Sequence, residues 1–285
     1  MSLTILFKTR FQPLNARGSR VPDDHQEIPP TKPAYHEELI PDFESYLSRV
    51  SSKQPCAHWI YRGVKSKDFR LIPTLGRIEK YTTASDEEKS KLELNYLKKT
   101  RSAVNPSDPN FYEAFSTAVA AQHHGAPTRL LDWTESPLIA AYFACEPRLT
   151  DNGKIDSPKN DVAIFAAHCC PDEVTDFRQL NYPFCNPAIG SFAVRPPLAS
   201  ERVEAQLSVL TVSCMPSCAL ELEPSLLITR IDKLIISKDL VGDFQRRLHR
   251  LGIRKRGLFP DADGHNSSLL LDDALDDALA SLCNA

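Results

Sequence analysis

The sequence predicts an α+β fold, and three observations carry that prediction. Short apolar runs such as HWIYRGV (58–64) and DVAIFAA (161–167) have the length and β-forming composition of buried strands. Other segments place apolar residues at helical spacing, with Ser residues at their starts and Gly at their ends. No internal repeat or clear second domain is present, so residues 36–285 are expected to form one domain behind an N-terminal arm, residues 1–35. A chain of 285 residues, 42% of them hydrophobic, can bury a substantial core.

In chain order, Leu3 to Phe7 reads as a short strand, and the stretch VPDDHQEIPPTKP that follows has too many prolines and charges for a regular element. Leu39, Phe43, Leu47 and Val50 recur at helical spacing and predict an amphipathic helix over 35–50. Strand 58–64 ends at Gly63, and a loop containing Pro73 and Gly76 follows it. Ser85 and Glu88 then have capping-box spacing ahead of a charged helix reaching about Val104. A second helix starts near Asp108, buries Phe111, Phe115 and Val119, and stops at Gly125 and Pro127. Thr128 to Trp133 reads as a strand, and Ser136–Pro137 supplies the cap and first-turn proline of an apolar helix through Cys145.

After the polar loop 150–159 and strand 161–167, residues 171–197 are proline-rich and irregular. Phe192 to Val194 forms a short strand, Ser200 caps a turn carrying Arg202, Glu204 and Gln206, and Leu207 to Val212 returns to strand. Leu226 to Ile231 and Leu234 to Ile236 read as two further strands. Ser237 and Gly252 bracket a helix over 238–251 that buries Leu240, Phe244 and Leu248. Asp261 and Asp263 lack the glycine and closing glutamate of an EF-hand, and Leu271, Leu275 and Leu279 line the apolar side of a final acidic helix.

Composition narrows the function classes. A formal charge of −3 creates no global basic field for nonspecific nucleic-acid or membrane binding. No run of 18 apolar residues exists to span a membrane, and the N-terminus has no secretory apolar region. Lys8, Arg10, Arg17 and Arg20 belong to an irregular arm. The eight scattered cysteines have neither CxxC nor zinc spacing, which fits reduced thiols in a cytoplasmic protein and no metal site.

The densest set of polar side chains lies in AQHHGAPTRLLDWTES (121–136). Asp132, Trp133, Thr134, Glu135 and Ser136 precede a helix N-terminus, where free N–H groups favour an anion; the competing structural roles are capping by Ser136 and Thr134, a core place for Trp133 and pairing of Asp132 with Arg129. Arg62, between Tyr61 and Gly63 in an apolar strand, needs a carboxylate, a phosphate or water. His123 and His124 are adjacent and diverge by about 100° on a helix, so they do not chelate one metal as an i, i+4 pair can. One of them interacts with the helix C-terminus, while the other, or Gln122, bonds into the cleft. The basic run RRLHRLGIRKR (246–256) is concentrated enough to grip phosphates, and a solvated helix end is the competing reading.

Tyr61-Arg62-Gly63, the block at 121–144, RPPLASERVEAQ (195–206) and GLFPDADG (257–264) together resemble the FRG domain family over roughly residues 40–265. That resemblance implies a bacterial domain with a defence or toxin setting. A weaker resemblance is to ADP-ribosyltransferases of the arginine-serine-glutamate type, which implies a split-sheet α+β core with surrounding helices and NAD as substrate. It places Arg62, with Tyr61 and Gly63, at the NAD phosphates or ribose, and Thr134 and Ser136 in the hydroxyl position. Gln122, His123 and Asp132 join the binding set, Trp133 stacks on a ring, and His124 is an optional base. The late carboxylate position falls to Glu204 or Gln206, with Asp261 and Asp263 as substitutes. Two functions follow as expectations: cleavage of the nicotinamide bond, with transfer of ADP-ribose to a macromolecular acceptor or hydrolysis, or noncatalytic binding of a nucleotide or nucleic acid.

Overall fold

The computed structural model describes residues 31–53, 58–103, 114–169, 190–196, 201–260 and 262–283. The expected strand at 3–7, the start of the helix near Asp108, most of the loop 171–197, the Ser200 cap and Asp261 lie outside these residues.

The described strands form one mixed seven-stranded sheet flanked by helices. In chain order they are β1 (Ala34–Ile40), β2 (His58–Val64), β3 (Leu130–Thr134), β4 (Val162–Cys169), β5 (Phe192–Val194), β6 (Ser208–Val212) and β7 (Ile228–Ile236). Across the sheet the order is β1-β7-β4-β2-β3-β6-β5, with β1 parallel to β7 and every other neighbouring pair antiparallel. The helices are α1 (Phe43–Ser51), α2 (Glu79–Thr82), α3 (Asp86–Ala103), α4 (Ala114–His123), α5 (Pro137–Cys145), α6 (Glu201–Ala205), α7 (Lys238–Arg250), α8 (Lys255–Leu258) and α9 (Ala262–Cys283).

Local chemistry sets most boundaries. The capping box forms: Ser85 N–H donates to Glu88 at 2.9 Å, and the Glu88 amide donates back to Ser85 at 3.4 Å. Ser136 Oγ accepts from the Ile139 amide at 3.3 Å and caps α5. Ser237 caps α7, and Gly125 and Gly252 end α4 and α7 at φ 77° and 79°.

Two expectations are corrected. Residues 34–40 are strand, and only Phe43 onward is helical, because Pro41 disfavours helix at Ile40 and Asp42 caps a new start by accepting from the Ser45 amide at 2.6 Å. The two strands expected over 226–236 are one strand, β7, running through Asp232. That carboxylate is buried inside the strand because Lys53 and Arg230 both reach it at 2.6 Å.

One apolar cluster joins α1, α5 and α7 to the sheet face carrying Tyr61, Ile164 and Leu234. A second lies on the opposite face around Ile60, Leu131, Trp133 and Phe165, and a third packs α4 against Leu130, Leu210 and Val212. Within the sheet the seam between β2 and β3 is thin, since the two strands share only the pair Tyr61 and Thr134. On either side of it, β2 is paired with β4 and β3 with β6 along their whole lengths.

Candidate functional site

A cavity of about 440 Å³ opens at that seam, between the C-terminal end of α4, the end of α5 and the turn that carries Gln206. Its size lies within the usual range for a small-molecule site. The backbone creates it: two strands that diverge after one shared pair leave polar groups with no ladder partner, and side chains take that place. Arg62 does so on β2. Its Nη1 donates to the Asp132 carbonyl at 2.5 Å, while the Asp132 carboxylate lies 3.9 Å away. The Arg62 side chain is 24% exposed and that of Asp132 is 70% exposed, so the carboxylate faces solvent and neutralises the guanidinium weakly. Burial pushes the Arg62 pKa down, Asp132 opposes the shift and Arg77 adds to it. A guanidinium that starts above about 12 remains cationic throughout.

Asp132 is itself oriented. Gln122 Nε2 donates to its Oδ1 at 2.5 Å, and the buried Thr128 hydroxyl donates to Gln122 Oε1 at 2.6 Å. The carboxylate can only accept, and this fixes which end of the Gln122 amide faces it. Thr134 is buried and accepts from the Ser136 amide at 3.1 Å. Tyr61 is buried beside it, and burial pushes its hydroxyl up to about 12, with Asp232 adding to the shift.

Gly63 lines the cavity for a steric reason. A Cβ there would sit 2.0 Å from the Ala140 carbonyl oxygen and 2.5 Å from the Ala144 nitrogen, so only glycine lets α5 lie flush on β2. The close approach brings the end of α5 over the end of β2, where Lys65 and Glu146 form an ion pair at the cavity wall.

The structure therefore gathers Tyr61, Arg62, Gly63, Gln122, His123, Asp132, Trp133, Thr134 and Gln206 around one cavity. His123 and His124 are both exposed, with ring centroids 5.6 Å apart, and His124 is not among the lining residues. Ser136 acts as the α5 cap, also off the lining. Trp133 departs from its expected stacking role: the residue is 3% exposed, packs in the core and donates from Nε1 to Thr211 at 2.9 Å. The alternation along β3 places Trp133 with Leu131 on the face opposite Asp132.

Glu204 is exposed on α6 and does not line the cavity, whereas Gln206 does and donates to the Leu258 carbonyl at 3.0 Å. Two positions apart on one helical turn, the two side chains point to opposite sides, and Leu207, at φ 46°, then ends the turn in the left-handed region. A non-glycine residue costs about 1–2 kcal/mol there. Its carbonyl accepts from the Glu135 amide at 3.0 Å, tying this turn to the one after β3. The side chain of Asp263 lies outside the described residues.

Three charged lining residues were not expected at the site from sequence: Lys65, Glu146 and Arg202. Arg202 stacks over Phe259 at 4.6 Å, and Phe259 packs edge-on against Phe143. The Gly63 contact explains Lys65 and Glu146, but 81 residues separate the pair and no spacing rule joins them. The basic run is also divided. Arg247 pairs with Asp243 and Glu44, Arg246 lies 3.8 Å from Asp243, and His249 is buried against Asp272 and Asp276. Among the described residues, no group of three or more His, Cys, Asp and Glu could hold a metal, and no helix is long and apolar enough to cross a membrane.

No curated protein and no solved structure matches the chain significantly. Residues 57–153 match the family model of the FRG domain, a segment running from β2 through α5 to the loop beyond it. The blocks at 195–206 and 257–264 fall outside that match. The segment that supplies Arg62, Gln122, Asp132, Thr134 and the Lys65–Glu146 pair is thus an FRG domain.

Proposed function

We propose that this cleft binds a nucleotide, with NAD as the ligand to test first, and that Arg62 holds its phosphates. One observation carries the reading: a largely buried guanidinium spends one short bond on a carbonyl and has its carboxylate neighbour at 3.9 Å, turned to solvent. A half-buried cation so weakly compensated gains from an incoming anion, and a planar guanidinium suits phosphate oxygens. Arg202 adds a second cation, and the Thr134 to Ser136 turn leads into the N-terminus of α5. An ADP-ribosyltransferase-like arrangement belongs to this reading.

A second reading, cleavage of the nicotinamide bond, has its own support. The exposed Asp132 carboxylate, oriented by Gln122, can stabilise a developing oxocarbenium ion, whereas Glu204 lies off the cavity and Gln206 carries no charge. Nicotinamide release by wild-type protein, Asp132→Asn and Glu204→Ala separates the cases. Release lost in Asp132→Asn and kept in Glu204→Ala supports cleavage through Asp132. Binding of NAD without release leaves the cleft as a nucleotide receptor, and neither binding nor release overturns both readings.

A further inference from the structure

The Lys65–Glu146 pair is a partition. On one side lies the main cavity; on the other is a second one of about 190 Å³, bounded by the end of α5, by Gln245 of α7 and by the loop 148–160. Both cavities count Lys65 and Glu146 among their walls. The pair is a weak barrier, since the Lys65 and Glu146 side chains are 42% and 21% exposed and a solvated ion pair is worth at most about 1 kcal/mol.

Beyond the partition, Arg148 and Lys159 face Asp156 as the one carboxylate besides Glu146 in the lining. Neither cation makes a side-chain ion pair among the described residues. Counting the described side chains apart from the partition, the second cavity carries an excess of one positive charge, from Arg148 and Lys159 against Asp156. Among the described side chains the main cavity carries the same excess, from Arg62 and Arg202 against Asp132. Two cationic chambers joined through a lysine that can turn to either side suit a ligand with two separated anionic groups.

We propose that the second cavity is a phosphate subsite of the same cleft, filled by a nucleotide that carries a further phosphate apart from the one at Arg62. Arg148 and Lys159 hold that phosphate, and Lys65 leaves Glu146 to join them. This inference rests on the nucleotide reading of the main cavity and adds a preference to it.

The test compares NADP with NAD by calorimetric titration of the full chain. Wild-type protein is expected to bind NADP about tenfold more tightly than NAD, the size of one charge-assisted contact. Arg148→Ala combined with Lys159→Ala, both at exposed positions, brings the ratio to about one. Glu146→Gln frees Lys65 and raises the ratio, an outcome that loss of structure does not produce. Binding of both nucleotides with no preference, or a preference that survives the double substitution, overturns this inference and leaves the nucleotide reading standing. Failure to bind either one overturns both.

Discussion

Two arginines beside β3 have opposite fates. Arg129, just before the strand, is nearly inaccessible: Nε and Nη2 reach the Glu93 carboxylate at 2.7 and 2.6 Å, and Nη1 donates to the Ser213 carbonyl at 3.0 Å. Arg62, across the strand on β2, has one bond to a carbonyl and a distant carboxylate. The first guanidinium is fully used in joining α3 to the sheet, whereas the second keeps donors free toward a cavity. An arginine set into the sheet therefore has two meanings in this chain, and burial together with the number and geometry of partners separates them.

The comparison sharpens most where it predicts the largest loss. Glu93→Ala removes the carboxylate that compensates the buried Arg129 charge and is expected to cost about 3–5 kcal/mol, read as a shift of the urea midpoint. A cost below about 1 kcal/mol would show that water replaces the carboxylate and that Arg129 is no more committed than Arg62. Next in size is Gly63→Ala, whose methyl meets backbone atoms of α5 and forces the helix outward. Overpacking of this kind costs about 1–3 kcal/mol, and thermal unfolding measures it. The same displacement should separate Lys65 from Glu146, so the substitution damages the site side of the comparison through the fold.

A buried carboxyl offers a pH-dependent version of the same contrast. Burial pushes the Glu223 pKa up, and hydrogen bonds from Ser191, Ser213 and the Met215 amide offset that only in part. The folded state then binds the proton more tightly than the unfolded one. Its stabilising contribution is complete below the unfolded carboxylate value, near 4.5, and declines as pH rises through the raised folded value. Urea midpoints across that range should fall less steeply for Glu223→Gln than for the wild type, and equal slopes would contradict the assignment.

Much of the fold was legible because its punctuation is local. Ser85 with Glu88, Ser136 with Pro137, and Ser237 with Gly252 each mark a boundary through atoms a few residues apart. The misread elements depend on distant partners. Residues 34–40 become a strand by lying parallel to β7, and Asp232 interrupts an apolar run that Lys53, Arg230 and Arg49 make continuous. The cleft follows the same division. Arg62, Gln122, Asp132 and Thr134 stand out by residue type in short motifs, but the opposite orientation of Trp133 follows from strand alternation and the partition from long-range packing.

The substitution with the smallest expected effect on stability tests the central claim most directly. Among the described residues Arg62 makes one short bond, to a carbonyl, so for Arg62→Ala thermal unfolding should change by less than about 1 kcal/mol. Calorimetric titration of the same variant with NAD should show affinity about tenfold weaker than wild type, or lost. Unchanged NAD affinity, or a stability loss as large as that of Glu93→Ala, would contradict the account and make Arg62 a second structural arginine.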